Sequence, residues 1–169
     1  ARRMYANFEQ PDQKMTFELQ VIAPTGWTVV SNSSTPEPTE GPWEGMSRWS
    51  FEPTLPISTY LTALVAGEYH VDHGTIHTTS GEIAADILCR QSMTEYLDAD
   101  RIRTTTQRGF EVYEAEFGYP YPFGKYTQSF VPEFNAGAME NAACVTHRDD
   151  LLFRSRVTSA AYENRDNCL

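Results

Sequence analysis

The stretch Asn135-Ala136-Gly137-Ala138-Met139-Glu140-Asn141 sets one carboxylate among small residues, directly after the extended run Gln128-Ser129-Phe130-Val131-Pro132-Glu133-Phe134. Gly137 and Ala138 carry almost no side chain, so a second backbone can approach this segment and pair with it as an added strand. Glu140 would then face the end of that ligand. A carboxylate beside free strand amides suits a peptide whose α-amine is charged, because the amides hold its backbone and the acid holds its terminus. The competing reading of the same spacing is a tight loop with a solvated Glu, since Gly-x-x-Glu is common in loops.

The neighbouring segments read as a frame for this stretch. Asp98 or Asp100 can cap a helix in which Ile102, Thr106, Phe110, Tyr113 and Phe117 recur at three and four residues, which predicts one face packed into a core. Gly118 and Pro120 end that helix, and Lys125 to Phe134 reads as the strand that delivers the heptad. Beyond the heptad, Thr158 or Ser159 can cap a second helix through Ala160, Ala161, Asn164, Arg165 and Cys168, with no Gly or Pro stop before Leu169. It reads as a helix cut short, which on its own is marginal in water.

From Met15 to about Asp86, Pro and Gly punctuate short alternating apolar runs, which is strand and turn grammar. Thr16 to Ala23 alternates cleanly, Pro24-Thr25-Gly26 is a turn, and Trp27 to Ser31 is a second strand, so a hairpin is predicted. Ser33 to Gly45 reads as a polar loop, with further strands at Met46 to Glu52, Thr62 to Tyr69 and Gly74 to Thr79. The fold class expected is mainly β: an antiparallel β-sandwich or saddle over residues 1–86, then a helix-and-strand unit over 87–169, with the boundary near Ile83 to Cys89.

Composition narrows the possible partners. The 169 residues are 40% hydrophobic and 12% aromatic, enough for one well-packed domain or a small domain and part of another. A formal net charge of −10 argues against nucleic acid and for a cationic or neutral ligand, unless it serves solubility alone. No apolar run approaches the ~20 residues of a membrane span, and no apolar core follows Arg2-Arg3 as a signal peptide requires. The chain begins at Ala1 without a Met, so its true N-terminus is expected to lie further upstream. Cys89, Cys144 and Cys168 are too few and too scattered for a disulfide framework or a zinc knuckle, and read as idle thiols in a reducing, cytoplasmic setting. Asn32-Ser33-Ser34 would accept a glycan only in a secreted protein. His70, His73 and His77 beside Asp72 invite a metal assignment, but strand geometry separates them and Gly74 breaks the run, so no metal site is expected there.

The heptad as it stands resembles the Gly-Ala-Met-Glu-Asn exopeptidase motif of the aminopeptidase N family of zinc metallopeptidases. Phe117-Gly118-Tyr119-Pro120-Tyr121-Pro122-Phe123-Gly124-Lys125-Tyr126 is similar to the family's lead-in, and Val145-Thr146-His147-Arg148-Asp149-Asp150-Leu151-Leu152-Phe153 to its follow-on. Arg2 to Tyr5, Phe8 to Lys14 and Pro56 to Leu61 resemble the family's N-terminal domain in its actinobacterial form, so essentially the whole chain is covered. The resemblance implies most of an N-terminal β domain and the first part of a thermolysin-like catalytic domain. It also implies a parent reaction that removes the N-terminal residue of peptides with a free N-terminus. In those terms Glu140 holds the α-ammonium, Gly137 and Ala138 offer backbone contacts, Met139 walls the first side-chain pocket and Asn141 orients the loop. The cofactor implied for the parent is zinc. Its His-Glu-x-x-His ligands and general base are not in this sequence, and by the family's spacing the first would fall about two residues beyond Leu169. The chain alone is therefore expected to be inactive, and to associate with itself through its unpaired surface.

Two positions depart from the family pattern. Ala143 stands where Gly is common, which argues against a left-handed turn there, and His147 stands where an aromatic residue is common. The reading from a different class is a non-catalytic β-sandwich module that binds an extended peptide or a protein partner.

Overall fold

Alternation and punctuation in the first half of the chain produce short strands that stack in two layers. A computed structural model describes residues 3–169; Ala1 and Arg2, which open the quoted N-terminal segment, lie outside the described residues. The strands are β1 (Gln20–Pro24), β2 (Thr28–Ser31), β3 (Thr39–Glu40), β4 (Met46–Ser50) and β5 (Leu64–Gly67). One antiparallel sheet runs β1-β4-β3 and a second pairs β2 with β5. Ala23, Trp49, Val29 and Phe51 are buried between them, with Ala66 packed alongside. This is the expected antiparallel sandwich.

The expected hairpin between the first two strands does not form. The turn itself exists, with Trp27 N–H donating to Pro24 O at 2.9 Å. It is a corner between layers: Ala23 before it and Val29 after it face the same core from opposite sheets. Turn residues specify a reversal, and which strands pair afterwards is decided by burial of the apolar face. The run from Thr16 is also laddered only from Gln20, although Phe51 N–H still reaches Leu19 O and Thr54 N–H reaches Phe17 O, each at 2.9 Å.

The next strands are β6 (Tyr69–Asp72), β7 (Thr75–Thr78), β8 (Gly81–Ala84) and β9 (Ile87–Arg90). The helix α1 (Ala99–Phe117) leads to β10 (Thr127–Val131), β11 (Ala138–Met139) and β12 (Cys144–Arg148), and α2 (Ser159–Asp166) closes the chain. β7 and β8 form a hairpin, while a five-stranded sheet takes the order β11-β12-β10-β9-β6. Its central pairs, β9–β10 and β10–β12, are parallel and its two flanking pairs antiparallel. Parallel pairing requires a crossover, and α1 supplies the one from β9 to β10.

A parallel centre must be covered on both faces. Ile87, Cys89 and Phe130 point to one face, where Ile102 of α1, Met93 and Leu152 bury them. Leu88 and Cys144 point to the other, against Val30, Ala63 and Val65 of the β2–β5 layer. Residues before and after position 86 therefore share one sheet, through the β6–β9 pairing, and one apolar cluster.

The helix stripe is core only in part. Ile102 and Thr106 are buried, with the Thr106 hydroxyl bonded to Ile102 O and Gln128, but Tyr113 and Phe117 are 63% and 76% exposed. Only the first half of α1 has the sheet beneath it. Beyond it Phe110 packs edge-on to Tyr121 and Tyr126, and Tyr113 stacks on Phe117. Asp98 does occupy the N-cap position of α1, yet its side chain makes no cap bond. It accepts instead from Arg165 at 2.9 Å. That guanidinium is 1% exposed and lies over the rings of Phe153 and Tyr162. Together with the Arg101–Asp166 pair it fastens α2 to α1, while Thr158 caps α2 itself, so the last helix is held by tertiary contacts and does not stand alone.

Candidate functional site

Small residues let the chain turn back on itself at the sheet's edge. After β10 a turn at Pro132 and Glu133, with Glu133 at φ 54°, sends the chain outward, and it returns as β11 on the far side of β12. β11 pairs antiparallel with β12, Ala138 opposite His147 and Met139 opposite Thr146, and Arg148 N–H donates to Gly137 O at 3.1 Å. Its other side has no strand partner among the described residues, which leaves an open row of amides and carbonyls. No atom lies within 4 Å of where a Cβ on Gly137 would stand, so the space there is open. Glu140 follows β11 directly and is exposed.

Asn141, next to Glu140, is 6% exposed and pinned from three sides. Its Nδ2 donates to Leu61 O at 3.3 Å and Thr62 O at 3.5 Å, and its Oδ1 accepts from the Thr146 hydroxyl at 3.0 Å. It opens a four-residue turn closed by Cys144 N–H to Asn141 O at 3.1 Å. Within that turn Ala143 lies at φ 60°. The left-handed turn that a β-carbon argued against is therefore present, at a cost of about 1–2 kcal/mol for a non-glycine residue. The surroundings fix it, since Ala143 is buried and its carbonyl accepts from Thr127 N–H at 3.1 Å.

Composition gave no sign of Asn32 as part of this construction. Its side chain is 5% exposed and donates to Leu61 O at 2.9 Å and Ala142 O at 2.7 Å, while its Oδ1 accepts from Ala63 N–H at 2.8 Å. With its amide nitrogen committed to two carbonyls, Asn32 is no glycan acceptor in this fold.

His147 also has a structural setting. It is fully buried and stacked on Phe130, ring centroids 5.0 Å apart. Gln128 Nε2 approaches its Nε2 at 3.4 Å, which puts the neutral ring's proton on Nδ1, an atom with no partner. Burial pushes its pKa down to about 4. The unfolded chain takes up that proton near pH 6.5. His147 thus contributes stability that is fully present above about pH 6.5 and is lost as pH falls towards 4, about 3 kcal/mol in all. Urea unfolding of His147→Phe is expected to lack this slope, and equal pH dependence in the two proteins would refute the assignment.

The histidine run is dispersed. His73 Nδ1 meets Asp86 at 3.1 Å and His77 Nδ1 meets Glu82 at 3.5 Å, both on the surface, while His70 sits on β6 opposite Cys89. Among the described residues no three His, Cys, Asp or Glu side chains come together as metal ligands, so the residues present do not fit a zinc ion. No helix among them is long and apolar enough to cross a membrane.

Comparison with known proteins now bears on this edge. The model of the Peptidase M1 N-terminal domain matches residues 1–61, and that of the Peptidase family M1 domain matches residues 103–168. Aminopeptidase N of Streptomyces lividans is 54% identical over 165 residues, 98% of this chain and 19% of the relative. Aminopeptidase N of Homo sapiens is 31% identical over 171 residues, 98% and 17%, and Aminopeptidase M1 of Arabidopsis thaliana is 30% identical over 164 residues, 95% and 18%. The chain spans about a fifth of the length of these curated relatives. With both M1 models in sequence order and likeness running along nearly all of its length, the chain belongs to the aminopeptidase N family of M1 metallopeptidases.

Proposed function

We propose that this chain forms the substrate-binding side of an aminopeptidase that removes the N-terminal residue of peptides. The observation that supports this most is the open edge of β11 with Glu140 exposed directly beyond its end. An extended peptide adds to that edge as a further strand, its backbone held by the amides around Ala138 and Met139. Glu140 receives its α-ammonium, a charge-assisted contact that only a free N-terminus makes. Gly137 leaves room for the approach, Met139 lines the first side-chain position and Asn141 holds the loop at its height. Residues 1–86 belong in this reading to the N-terminal β domain and 87–169 to the start of the catalytic domain, the two joined through β6 and β9.

Among the described residues no group of side chains fits the zinc of such an enzyme. What the chain does is bind, orient and choose: peptides with a free amine fit, and amine-blocked peptides and internal bonds do not. A net charge of −10 argues against nucleic acid as a partner, and the free thiols Cys89, Cys144 and Cys168 suit a reducing, cytoplasmic setting. Copies of the 169-residue chain associate through the unpaired surface beside residues 158–169.

The 169-residue chain is expected to hold no stoichiometric zinc and to release nothing from aminoacyl-anilides. A protein of the relatives' length that contains it is expected to release N-terminal residues. One tightly held zinc in the short chain would overturn the assignment of ligands elsewhere. Peptide binding without hydrolysis by the long protein would turn the reading to a binding module.

A further inference from the structure

The turn Asn141-Ala142-Ala143-Cys144 has its positive φ at the third position, as a type II turn does. Such a turn relaxes to type I when the peptide between its second and third residues flips, which returns the third residue to negative φ. Glycine at the third position has no reason to flip; Ala143, with its β-carbon, has one. The atom that would swing through that flip is the Ala142 carbonyl oxygen. It is this oxygen that accepts the 2.7 Å bond from Asn32, a residue 110 positions away in sequence. Asn32 is itself locked by Leu61 O and Ala63 N–H. Leu61 O also accepts from Asn141, so the two asparagines share one anchor, the carbonyl that ends the 3-10 turn Thr59–Leu61 just before β5.

We infer that Asn32 is a positioning residue for α-amine recognition: it holds the Ala142–Ala143 peptide in the type II state and thereby sets the place of Glu140, two residues upstream. The inference rests on the proposed role of Glu140 as the amine's partner. Asn32 touches no substrate and acts only through the turn. Its partners are a carbonyl and an amide of the segment that leads into β5 on one side and the motif turn on the other, so the N-terminal half of the chain sets the geometry of the recognition loop. Because Ala143 is the source of the tension, Asn32 and residue 143 must be coupled: a glycine at 143 removes the need for the clamp.

The test uses the full-length enzyme that contains this chain and two probes, leucine hydroxamate and its analogue without the α-amine. Their Kd ratio, measured by calorimetry, reports amine recognition in the folded molecules that bind, whatever fraction of the protein is folded. Glu140→Gln is expected to collapse the ratio. Asn32→Ala is expected to lower it about tenfold, as displacement of a positioned group does. Ala143→Gly added to Asn32→Ala is expected to recover most of the loss, which a merely structural role for Asn32 would not produce. If Asn32→Ala does not fold, Asn32→Ser is read in the same way. A ratio unchanged in the Asn32 variants while Glu140→Gln collapses it overturns this inference alone, as does a loss equal for both probes or one that Ala143→Gly leaves untouched. A ratio unchanged in Glu140→Gln overturns the amine reading, and this inference with it.

Discussion

Phe130→Ala is expected to cost the 169-residue chain about 3–5 kcal/mol, a large part of the stability an ordinary domain has. Phe130 is fully buried at the centre of the five-stranded sheet, and its ring joins Ile87, Cys89, Met93, Ile102 and Leu152 in one cluster. It also stacks on His147, so removal opens a cavity and strips a neutral, half-satisfied imidazole of its apolar cover. Parallel strands have no second way to hide that face, since the opposite one is already filled by Leu88 and Cys144 against the β2–β5 layer. The control is Phe117→Ala. It removes the same kind of side chain from the end of the helical stripe of α1, where it is 76% exposed, and is expected to change stability by less than about 0.5 kcal/mol. Urea midpoints of the two variants decide the matter; equal losses would mean that the whole stripe is core after all.

That contrast shows what the sequence could and could not say. Helix ends are written locally: Gly118 takes φ 59° because only glycine does so freely, and the end of α1 was legible from it. Which residues of a helical stripe are covered depends on how far the sheet extends beneath them, and spacing carries no information on that. The corner at Pro24 to Gly26 was legible as a reversal, while its use between layers was not, because pairing partners lie far along the chain. The edge position of Ala138 and Met139 was foreshadowed by Gly137 and Ala138, whose small size suits backbone approach. Asn32 was illegible: one buried amide bridging 110 residues has no local signature. Ala143 misled for a related reason, since local cost argued against a conformation that non-local bonds impose.

On the proposed role of Glu140, Glu140→Ala in a protein of the relatives' length that contains this chain is expected to lower kcat/KM for free-amine substrates by about ten- to a hundredfold or more. An ammonium held by a carboxylate in a partly desolvated place is worth roughly 1.5–3 kcal/mol, and that sets the scale. The bound amine also fixes where the first carbonyl lies, so kcat falls along with the rise in KM, not KM alone. Glu140→Asp recovers part of the loss, being about one methylene short of the same contact. Stability barely changes, because Glu140 is exposed while Asn141, Thr146 and Asn32 carry the turn.

The most direct measurement compares wild type and Glu140→Ala on one substrate in two forms, with its α-amine free and with it acetylated. If β11 and Glu140 together receive a charged N-terminus, kcat/KM falls by about ten- to a hundredfold on the free form and changes far less on the acetylated one. Equal losses on both forms would contradict the account, and would make Glu140 a residue of the fold and not the anchor of the amine.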